Sequence, residues 1–309
     1  KNLFRRKFFL VAVSGGSDSL ALTALSKSYS LNNKCKIFYV LIDHNIRKNS
    51  SKEALSVKRL LKNFKINLII IKNKKKIKKN FQAEAREIRY KLLAEFCKKR
   101  KIPTIITAHN LEDQVETFFI RLSRGSGLQG LSSMKQLNKI NKINLLRPLL
   151  NTKRENLKKI SKICFGKFYS DPTNKNDKYL RTRIRNLKKV LEKSGINYDQ
   201  IFRSINNLAT SRDTLDVYFK KLYKDLSQNK KNRISIDFEK FKDINNEMKM
   251  EVFKKSIKDI AGAYYPPRSK KISHLIEKIQ SSKRAKLTLG GCIIFRENNH
   301  IILVKEKKN

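Results

Sequence analysis

Residues 8–19 read FFLVAVSGGSDS, and this stretch predicts a strand, a turn and the start of a helix. The apolar run Phe8–Val13 is typical of a buried strand, and a helical pattern begins at Ser19. Gly15 and Gly16 permit positive φ, so successive backbone N–H groups can turn toward one point. The helix N-terminus adds a partial positive charge there. The sequence therefore predicts a loop that binds a phosphate group.

The residues that we expect to contact the phosphates all lie in this loop. They are Ser14, Gly15, Gly16, Ser17, Asp18 and Ser19. Asp18 is an acid beside a phosphate site, an arrangement that Mg²⁺ binding would explain. The loop has neither the Gly-Lys-Ser/Thr of a Walker A motif nor the third glycine of a dinucleotide fingerprint. The alternative is a glycine-rich turn in which Ser17 or Asp18 caps the helix.

Beyond this loop, short apolar runs alternate with helical patterns. Such alternation predicts an α/β fold with a doubly wound, mostly parallel sheet covered by helices on both faces. The predicted strands are 8–13, 37–42, 68–71 and 103–107, and the predicted helices are 19–28, 52–63, 81–100 and 111–122. From residue 198 helical patterns dominate, and a hairpin is expected around Asn298 and Asn299. We predict a first domain of residues 1–200 and a smaller, mainly helical domain of residues 201–309.

The charge of the chain points to polyanionic partners. Its 309 residues include 72 Lys and Arg but only 26 Asp and Glu, so the formal net charge is +46. A positive field of this size attracts nucleic acids. The alternative is the compositional bias of a genome rich in Lys, Asn and Ile codons. Charge alone does not identify the nucleic acid.

Several classes of protein are disfavoured by the composition. No apolar run reaches the roughly 18 residues of a membrane-spanning helix. The basic start followed by Phe8–Val13 imitates a signal peptide, but its apolar part is shorter than a typical h-region. The four cysteines are dispersed without a C-x-x-C pair, which argues against a metal cluster. We expect a cytoplasmic protein with free thiols and no membrane partner.

Further candidate residues follow the predicted strands or lie on the fourth helix. Ligands of doubly wound sheets bind at the carboxyl ends of the strands, so Asp43 and His44 are expected near a nucleotide. Glu112, Asp113 and Glu116 neighbour each other on a helix and could bind Mg²⁺ or the ammonium of a small substrate. The alternative is an acidic first turn that complements the helix dipole.

Residues 14–19 match the signature S-G-G-x-D-S, and the chain here resembles the PP-loop ATP pyrophosphatase superfamily, which has an adenine nucleotide α-hydrolase-like fold. Other segments resemble the tRNA(Ile)-lysidine synthetase family within that superfamily. They are DHNIR at 43–47, QAEAREIRY at 82–90, TAHNLEDQVET at 107–117, RGSG at 124–127, LRPLL at 146–150, DPTN at 171–174 and RTRIR at 181–185. Glu112 and Thr182 depart from the family pattern, where Asp is usual and Asn is frequent.

The resemblance implies a reaction in two steps. ATP adenylates the C2 oxygen of the wobble cytidine of a tRNA(Ile) with a CAU anticodon, releasing pyrophosphate. The ε-amine of free L-lysine then attacks C2, and AMP leaves. The cofactors implied are ATP and Mg²⁺, and the second domain is expected to bind tRNA.

The implied residue roles fall into five groups. The catalytic residues are Asp18, Asp113 and Arg124. The ATP-binding residues are those of the loop at 14–19 with Asp43, His44 and His109. Lysine binding is assigned to Glu112, Asp113 and Glu116, and Mg²⁺ binding to Asp18 and Asp113. The tRNA-binding residues are Arg86, Arg89, Arg121, Arg147, Arg181, Arg183 and Arg185.

Other functions stay open at this point. A PP-loop tRNA thiolase would need a sulfur relay, which a lone Cys97 or Cys164 could supply. An amide-forming synthetase would need an ammonia source, for which we find no sequence signal. A non-catalytic RNA-binding protein would carry a degenerate ATP site, against which the intact loop argues. The oligomeric state is also open, with a homodimer as one option.

Overall fold

The computed structural model describes residues 8–45, 49–75, 81–140, 143–169, 177–230, 232–262, 267–282 and 284–306. The chain divides into two compact units, residues 1–209 and residues 210–309. The motif that begins at Asp171 lies outside the described residues. No helix in the described ranges is long and apolar enough to cross a membrane.

The first unit is built from strands and helices, which alternate along the chain as far as its fourth helix. They are β1 Phe8–Val13, α1 Ser17–Asn32, β2 Lys36–Asp43, α2 Ser50–Asn63, β3 Leu68–Lys72, α3 Phe81–Lys99, β4 Thr104–Ile106, α4 Leu111–Leu122, α5 Leu128–Leu131, β5 Leu137–Ile140, β6 Ile143–Leu146, α6 Arg154–Phe165, α7 Leu180–Asn186, α8 Lys188–Lys193 and α9 Tyr198–Leu226. Helix α9 continues into the second unit.

The sheet of the first unit has the strand order β3-β2-β1-β4-β6-β5. Only β5 runs antiparallel to its neighbour, so the prediction of a doubly wound, mostly parallel sheet is confirmed. The order of the strands reverses between β1 and β4, where Val11 pairs with Ile106. Ligands of such folds bind beyond the carboxyl ends of the strands at this switch point. The loops that follow β1 and β4 therefore lie side by side.

Strand β1 is buried on both faces of this sheet. Phe9, Val11 and Val13 pack in one apolar cluster, and Leu10 packs in another on the opposite face. This division follows from the alternation of side chains along a strand. The apolar run that the sequence places before the loop thus anchors the loop rigidly at one end.

The second unit contains β7 Ser227–Lys230, β8 Arg233–Asp237, α10 Phe238–Asp243, α11 Asn246–Ala261, α12 Ser269–Ser281, β9 Lys286–Leu289, β10 Cys292–Glu297 and β11 His300–Lys305. The predicted hairpin is found as β10 and β11, which pair antiparallel. The structure adds β7, β8 and β9, which sequence analysis did not predict, and forms a sheet in the order β7-β8-β11-β10-β9. These strands are short, and β7 has the polar sequence SQNK, so the strand signal is weak there.

Candidate active site

The loop after β1 is closed by a serine hydroxyl. The Oγ of Ser19 accepts a hydrogen bond from the N–H of Ser14 at 3.1 Å and donates one to the carbonyl of Gly16 at 3.0 Å. Gly16 is the N-cap of α1, so the alternative of a cap by Ser17 or Asp18 is wrong. A glycine cap offers no side-chain acceptor to the first N–H groups of the helix. An anion is the acceptor that such groups favour.

Gly15 is required by both backbone conformation and space. Its φ is +83°, in the left-handed region that glycine adopts without strain. A Cβ at this position would lie 2.5 Å from Cγ2 of Val57. The loop also receives a hydrogen bond at the carbonyl of Gly15 from the N–H of Tyr169 at 3.0 Å. The conformation of the loop is therefore set by its neighbours as well as by its own sequence.

The N-terminus of α4 reaches the loop through Asn110. This residue forms a capping box with Asp113, in which each side chain accepts from the other residue's backbone N–H. The side-chain amide of Asn110 also donates to Oδ2 of Asp18 at 2.9 Å. One fully buried amide thus links the acid of the phosphate loop to the acidic turn of α4.

Arg154, the first residue of α6, joins the acids of both elements. Its guanidinium lies 3.5 Å from Asp18 Oδ2, 3.3 Å from Asp113 Oδ1 and 3.2 Å from Glu116 Oε1. Its backbone N–H donates to Oε2 of Glu112 at 2.8 Å. Sequence analysis missed this residue. A signal was present, because four clustered carboxylates need a positive charge among them.

Glu116 is buried among three arginines. Its side chain is 1% exposed, and Arg185 Nε donates to its Oε1 at 2.6 Å. Arg181 Nε lies 3.1 Å from Oε2, and Arg154 completes the set. A carboxylate can be buried in this way because its charge is paired. The expected lysine-binding acids are therefore brought together, and Glu116 is the most enclosed of them.

The pKa values of the two candidate metal ligands shift in opposite directions. Burial raises the pKa of Asp18, and the nearby Arg154 offsets this only in part. Burial would also raise the pKa of Asp113, but Arg154 and the other positive neighbours hold it below its usual range. Asp113 is thus ionised at neutral pH, as an acid that binds a cation must be.

His109 lies beside these acids as a neutral imidazole. Burial and the surrounding arginines lower its pKa to about 3, although Asp113 acts in the opposite direction. Its Nδ1 lies 2.9 Å from the hydroxyl of Thr107, which follows β4. A neutral imidazole can orient a polar ligand without adding charge to the site.

Asp43 and His44 end β2, next to the phosphate loop. The carboxylate of Asp43 accepts from Ser51 Oγ at 2.6 Å and from the N–H of Asn45 at 2.9 Å. Burial and Arg89 lower the pKa of His44 to about 4. The buried Nδ1 of His44 has no hydrogen-bond partner among the described residues. An unpartnered buried nitrogen at the strand ends suits a polar ligand such as adenine or ribose.

The arginines expected to bind tRNA have different surroundings. Arg121 donates to the carbonyls of Gly130 and Ser133, and the buried Arg147 donates to the carbonyl of Lys135. The guanidinium carbon of Arg86 lies 5.1 Å from the centroid of the Tyr90 ring, and Nε of Arg89 lies 3.5 Å from Nε2 of His44. Arg181 and Arg185 contact Glu116, and Arg183 is exposed. Arg124, expected to be catalytic, is exposed in the turn after α4. Their roles toward tRNA stay predictions.

The acids of the site fit one common mode of Mg²⁺ binding. No group of three His, Cys, Asp or Glu side chains in the described ranges could hold a metal ion by itself. Mg²⁺ is often held by one or two carboxylates together with substrate phosphates and water. Asp18 and Asp113 face a common guanidinium from two different elements, so both can supply an oxygen beside the phosphate loop.

Comparison with known proteins gives two consistent results for the sequence. Residues 1–192 match the family of the PP-loop domain. A protein named tRNA(Ile)-lysidine synthase from Wolbachia pipientis wMel is 34% identical over 301 residues, which are 96% of this chain and 70% of that protein. The protein of the same name from Orientia tsutsugamushi (strain Boryong) is 34% identical over 312 residues, with 96% and 69% covered.

Among solved structures, the chain is similar to the U34-tRNA thiolase NcsA from Methanococcus maripaludis, solved with its 4Fe–4S cluster. The TM-score is 0.56 at 18% identity, and the match covers 65% of this chain and 71% of that chain. At this level of identity the likeness concerns the fold alone.

Proposed function

This chain belongs to the tRNA(Ile)-lysidine synthase family and carries its PP-loop ATP-binding domain, and on that premise we propose how its residues form lysidine. It is an ATP-dependent ligase that modifies tRNA. In the proposed reaction, the C2 oxygen of the wobble cytidine in a CAU-anticodon tRNA(Ile) attacks the α-phosphorus of ATP, and pyrophosphate leaves. The ε-amine of lysine then attacks C2, the bond to the oxygen breaks, and AMP leaves with that oxygen.

The phosphate loop has the first role in this proposal. The N–H groups at the start of α1 and the hydroxyls of Ser14, Ser17 and Ser19 would bind the β- and γ-phosphates and stabilise the charge that develops on pyrophosphate. Mg²⁺, held by Asp18 and Asp113, would neutralise negative charge on the phosphates. Asp43, His44 and His109 would contact the nucleoside part of ATP at the strand ends.

The hydrogen bond between Asn110 and Asp18 is the observation that supports placing both half-reactions in one site. The amide of Asn110 joins Asp18 of the phosphate loop to the acidic turn of α4, at 2.9 Å from the Asp18 carboxylate. The loop is the place for ATP, and the acidic turn suits an ammonium group. We assign lysine to Glu112 and Asp113, with Glu116 behind them, because Glu116 already pairs with arginines.

The tRNA is proposed to approach the positively charged surface of the chain. The exposed Arg124 and Arg183 are available for the phosphates of the anticodon loop. Splayed bases of such loops stack on arginine as well as aromatic side chains, which suits the partly exposed Arg86, whereas the ring of Tyr90 is buried in the core. We further propose that residues 1–200 hold the catalytic site, that residues 201–309 bind tRNA, and that the protein acts in the cytoplasm.

A tRNA thiolase has weaker support as a second candidate. The likeness to the thiolase is at the level of the fold, whereas the relatives of known name are lysidine synthases. The four cysteines lie in or beside different elements, and the described residues contain no His, Cys, Asp or Glu group that could hold a cluster.

The proposal is tested by following pyrophosphate release from ATP with and without a CAU-anticodon tRNA(Ile) transcript. We expect release to require the transcript and to be lost in Asp18→Asn. The matched control is Glu95→Gln, which removes an exposed acid from α3 of the first unit and should leave release unchanged. Release without tRNA, or equal release by the two variants, would contradict the proposal.

A further inference from the structure

Arg154 is an unusual component of a site that must accept cations. Its guanidinium is placed between Asp18, which belongs to the phosphate loop, and Asp113, which belongs to α4. Both carboxylates are candidates for a divalent cation, and the lysine ammonium is expected next to them. A positive side chain of the protein thus lies where positive ligands are needed.

The acids differ in how far an incoming cation could reach them. The side chain of Asp18 is 25% exposed and that of Asp113 is 14% exposed, whereas Glu116 is 1% exposed. A cation from solvent therefore meets Asp18 and Asp113 first. These are the two carboxylates that Arg154 shares, so the cation and the guanidinium would repel each other at that point.

The contacts of Arg154 allow its side chain to shift while its backbone stays fixed. The backbone N–H is held by Glu112, and helix α6 begins at this residue. If the guanidinium moved away from Asp18 toward Glu116, no buried acid would lose all its partners. Glu116 keeps Arg181 and Arg185, and Asp18 keeps the amide of Asn110.

We propose that Arg154 is a positioning residue that acts as an internal counter-ion. Its guanidinium holds the carboxylates of Asp18 and Asp113 near each other and competes with a divalent cation for them. The relevance of this competition to catalysis rests on the proposed function. The contact itself does not, because it concerns residues of this chain only.

The competition is tested by titrating the full chain with Mn²⁺, which reports on the Mg²⁺ site and is detected by electron paramagnetic resonance. No ATP, tRNA or lysine is added, so the result does not depend on lysidine formation. Without phosphates two carboxylates bind the ion weakly, so the quantity compared is the ratio of the affinities of the two proteins. A neighbouring opposite charge shifts the proton affinity of a carboxylate about tenfold or more. We therefore expect Arg154→Gln to bind Mn²⁺ about tenfold more tightly than the wild type. The gain should vanish in Asp18→Asn/Arg154→Gln.

The matched control is Arg203→Gln, which removes an exposed arginine of the same unit and the same amount of net charge. It should bind Mn²⁺ as the wild type does. If Arg154→Gln does not fold, as judged by circular dichroism, Arg154→Lys carries the test. A single ammonium bridges two carboxylates less well than a guanidinium fork, so a smaller gain is expected. Unchanged or weaker Mn²⁺ binding by the folded variant would overturn the proposal.

Wild-type lysine transfer to tRNA, assayed in parallel, tests the proposed function separately. Absence of lysine transfer by the wild type, together with tighter Mn²⁺ binding by Arg154→Gln, would keep the counter-ion role and reject the reaction. Normal lysine transfer with unchanged Mn²⁺ binding would do the reverse.

Discussion

The described parts of the two units differ in whether they bury acidic side chains. In the first unit, the buried groups include the carboxylates of Asp43, Glu112 and Glu116. In the described part of the second unit, no Asp or Glu is buried, and the core consists of apolar side chains such as Phe241 and Phe253. A chain with net charge +46 has few acids to place. Among the described residues the buried acids are these three, at the end of β2 and on the helix that follows β4.

Buried ion pairs and apolar packing contribute differently to the stability of a folded unit. Burying an ion pair contributes little net stability, because desolvation of both charges offsets their attraction. The acids of the first unit therefore need another reason to be buried, and a site for cations and phosphates is one. The second unit is held by apolar packing, in which Phe241 and Phe253 meet edge to face with centroids 5.3 Å apart.

The largest effect is expected from removing a buried charge of the first unit. Glu116→Gln leaves the guanidiniums of Arg154, Arg181 and Arg185 without their shared carboxylate. Breaking a buried pair from one side costs about 3–5 kcal/mol. Urea unfolding should show this loss, and lysine transfer should be abolished. Glu192→Gln, in an exposed helical pair with Lys188, should cost at most about 0.5 kcal/mol. Equal costs for the two variants would mean that burial of the Glu116 carboxylate adds nothing to the cost of breaking an exposed pair.

The next prediction concerns a substitution in the apolar core of the second unit. Phe253→Ala removes a fully buried ring and should reduce the free energy of unfolding of this unit by about 3 kcal/mol. The Mn²⁺ affinity of the first unit should stay at the wild-type value, because the ring lies in the other core. Calorimetry and the Mn²⁺ titration check the two halves of this prediction. A change in Mn²⁺ affinity would show that the units are coupled.

A smaller effect is expected at the phosphate loop. Gly15→Ala forces a left-handed φ on alanine and places its Cβ against Val57, at a cost of about 1–3 kcal/mol. Gly166 has a similar φ of +71°, but a Cβ added there would meet no atom within 4 Å. Gly166→Ala therefore tests backbone strain without a steric clash. We expect Gly15→Ala to lose pyrophosphate release and Gly166→Ala to keep it. Loss in both variants would mean that strain alone explains the effect.

The smallest effect concerns the pH dependence of stability. The pKa of His109 in the folded chain is about 3, below its ordinary value of 6.5. The unfolded chain therefore binds a proton first as the pH falls, so stability is complete above pH 6.5 and decreases toward pH 3. Between pH 6.5 and 5.5 this contribution is at most about 1.4 kcal/mol. His109→Gln should show a correspondingly flatter pH dependence of urea unfolding. Parallel curves would indicate that folding does not lower the pKa of His109.

For physical reasons, the sequence predicts the alternating elements from β1 to α4 better than the rest of the chain, where β5, β6 and α5–α8 were not predicted. The apolar run Phe8–Val13 is short, rich in aromatic and β-branched residues and followed by glycines, which favours a buried strand over a helix. The loop after β1 carries its own glycines. Strand β8 pairs with β11, which is distant in sequence. Strands β7 and β9 have only four residues each and pair with the strand that follows them, and β7 is polar, so local patterns reveal them poorly. A sequence motif identifies its own residues but not the residues elsewhere in the chain that contact them. Arg154 is absent from every motif quoted above, yet it contacts Asp18, Asp113 and Glu116 once the chain folds.

The central claim is that one site in the first unit joins lysine to tRNA at the expense of ATP. Transfer of [¹⁴C]lysine to a CAU-anticodon tRNA(Ile) transcript measures this directly. The account predicts ATP-dependent incorporation by the wild type, with AMP and pyrophosphate released in equal amounts, and none by Asp18→Asn. ATP turnover that depends on tRNA without capture of lysine would contradict it and would indicate a different modification at this site.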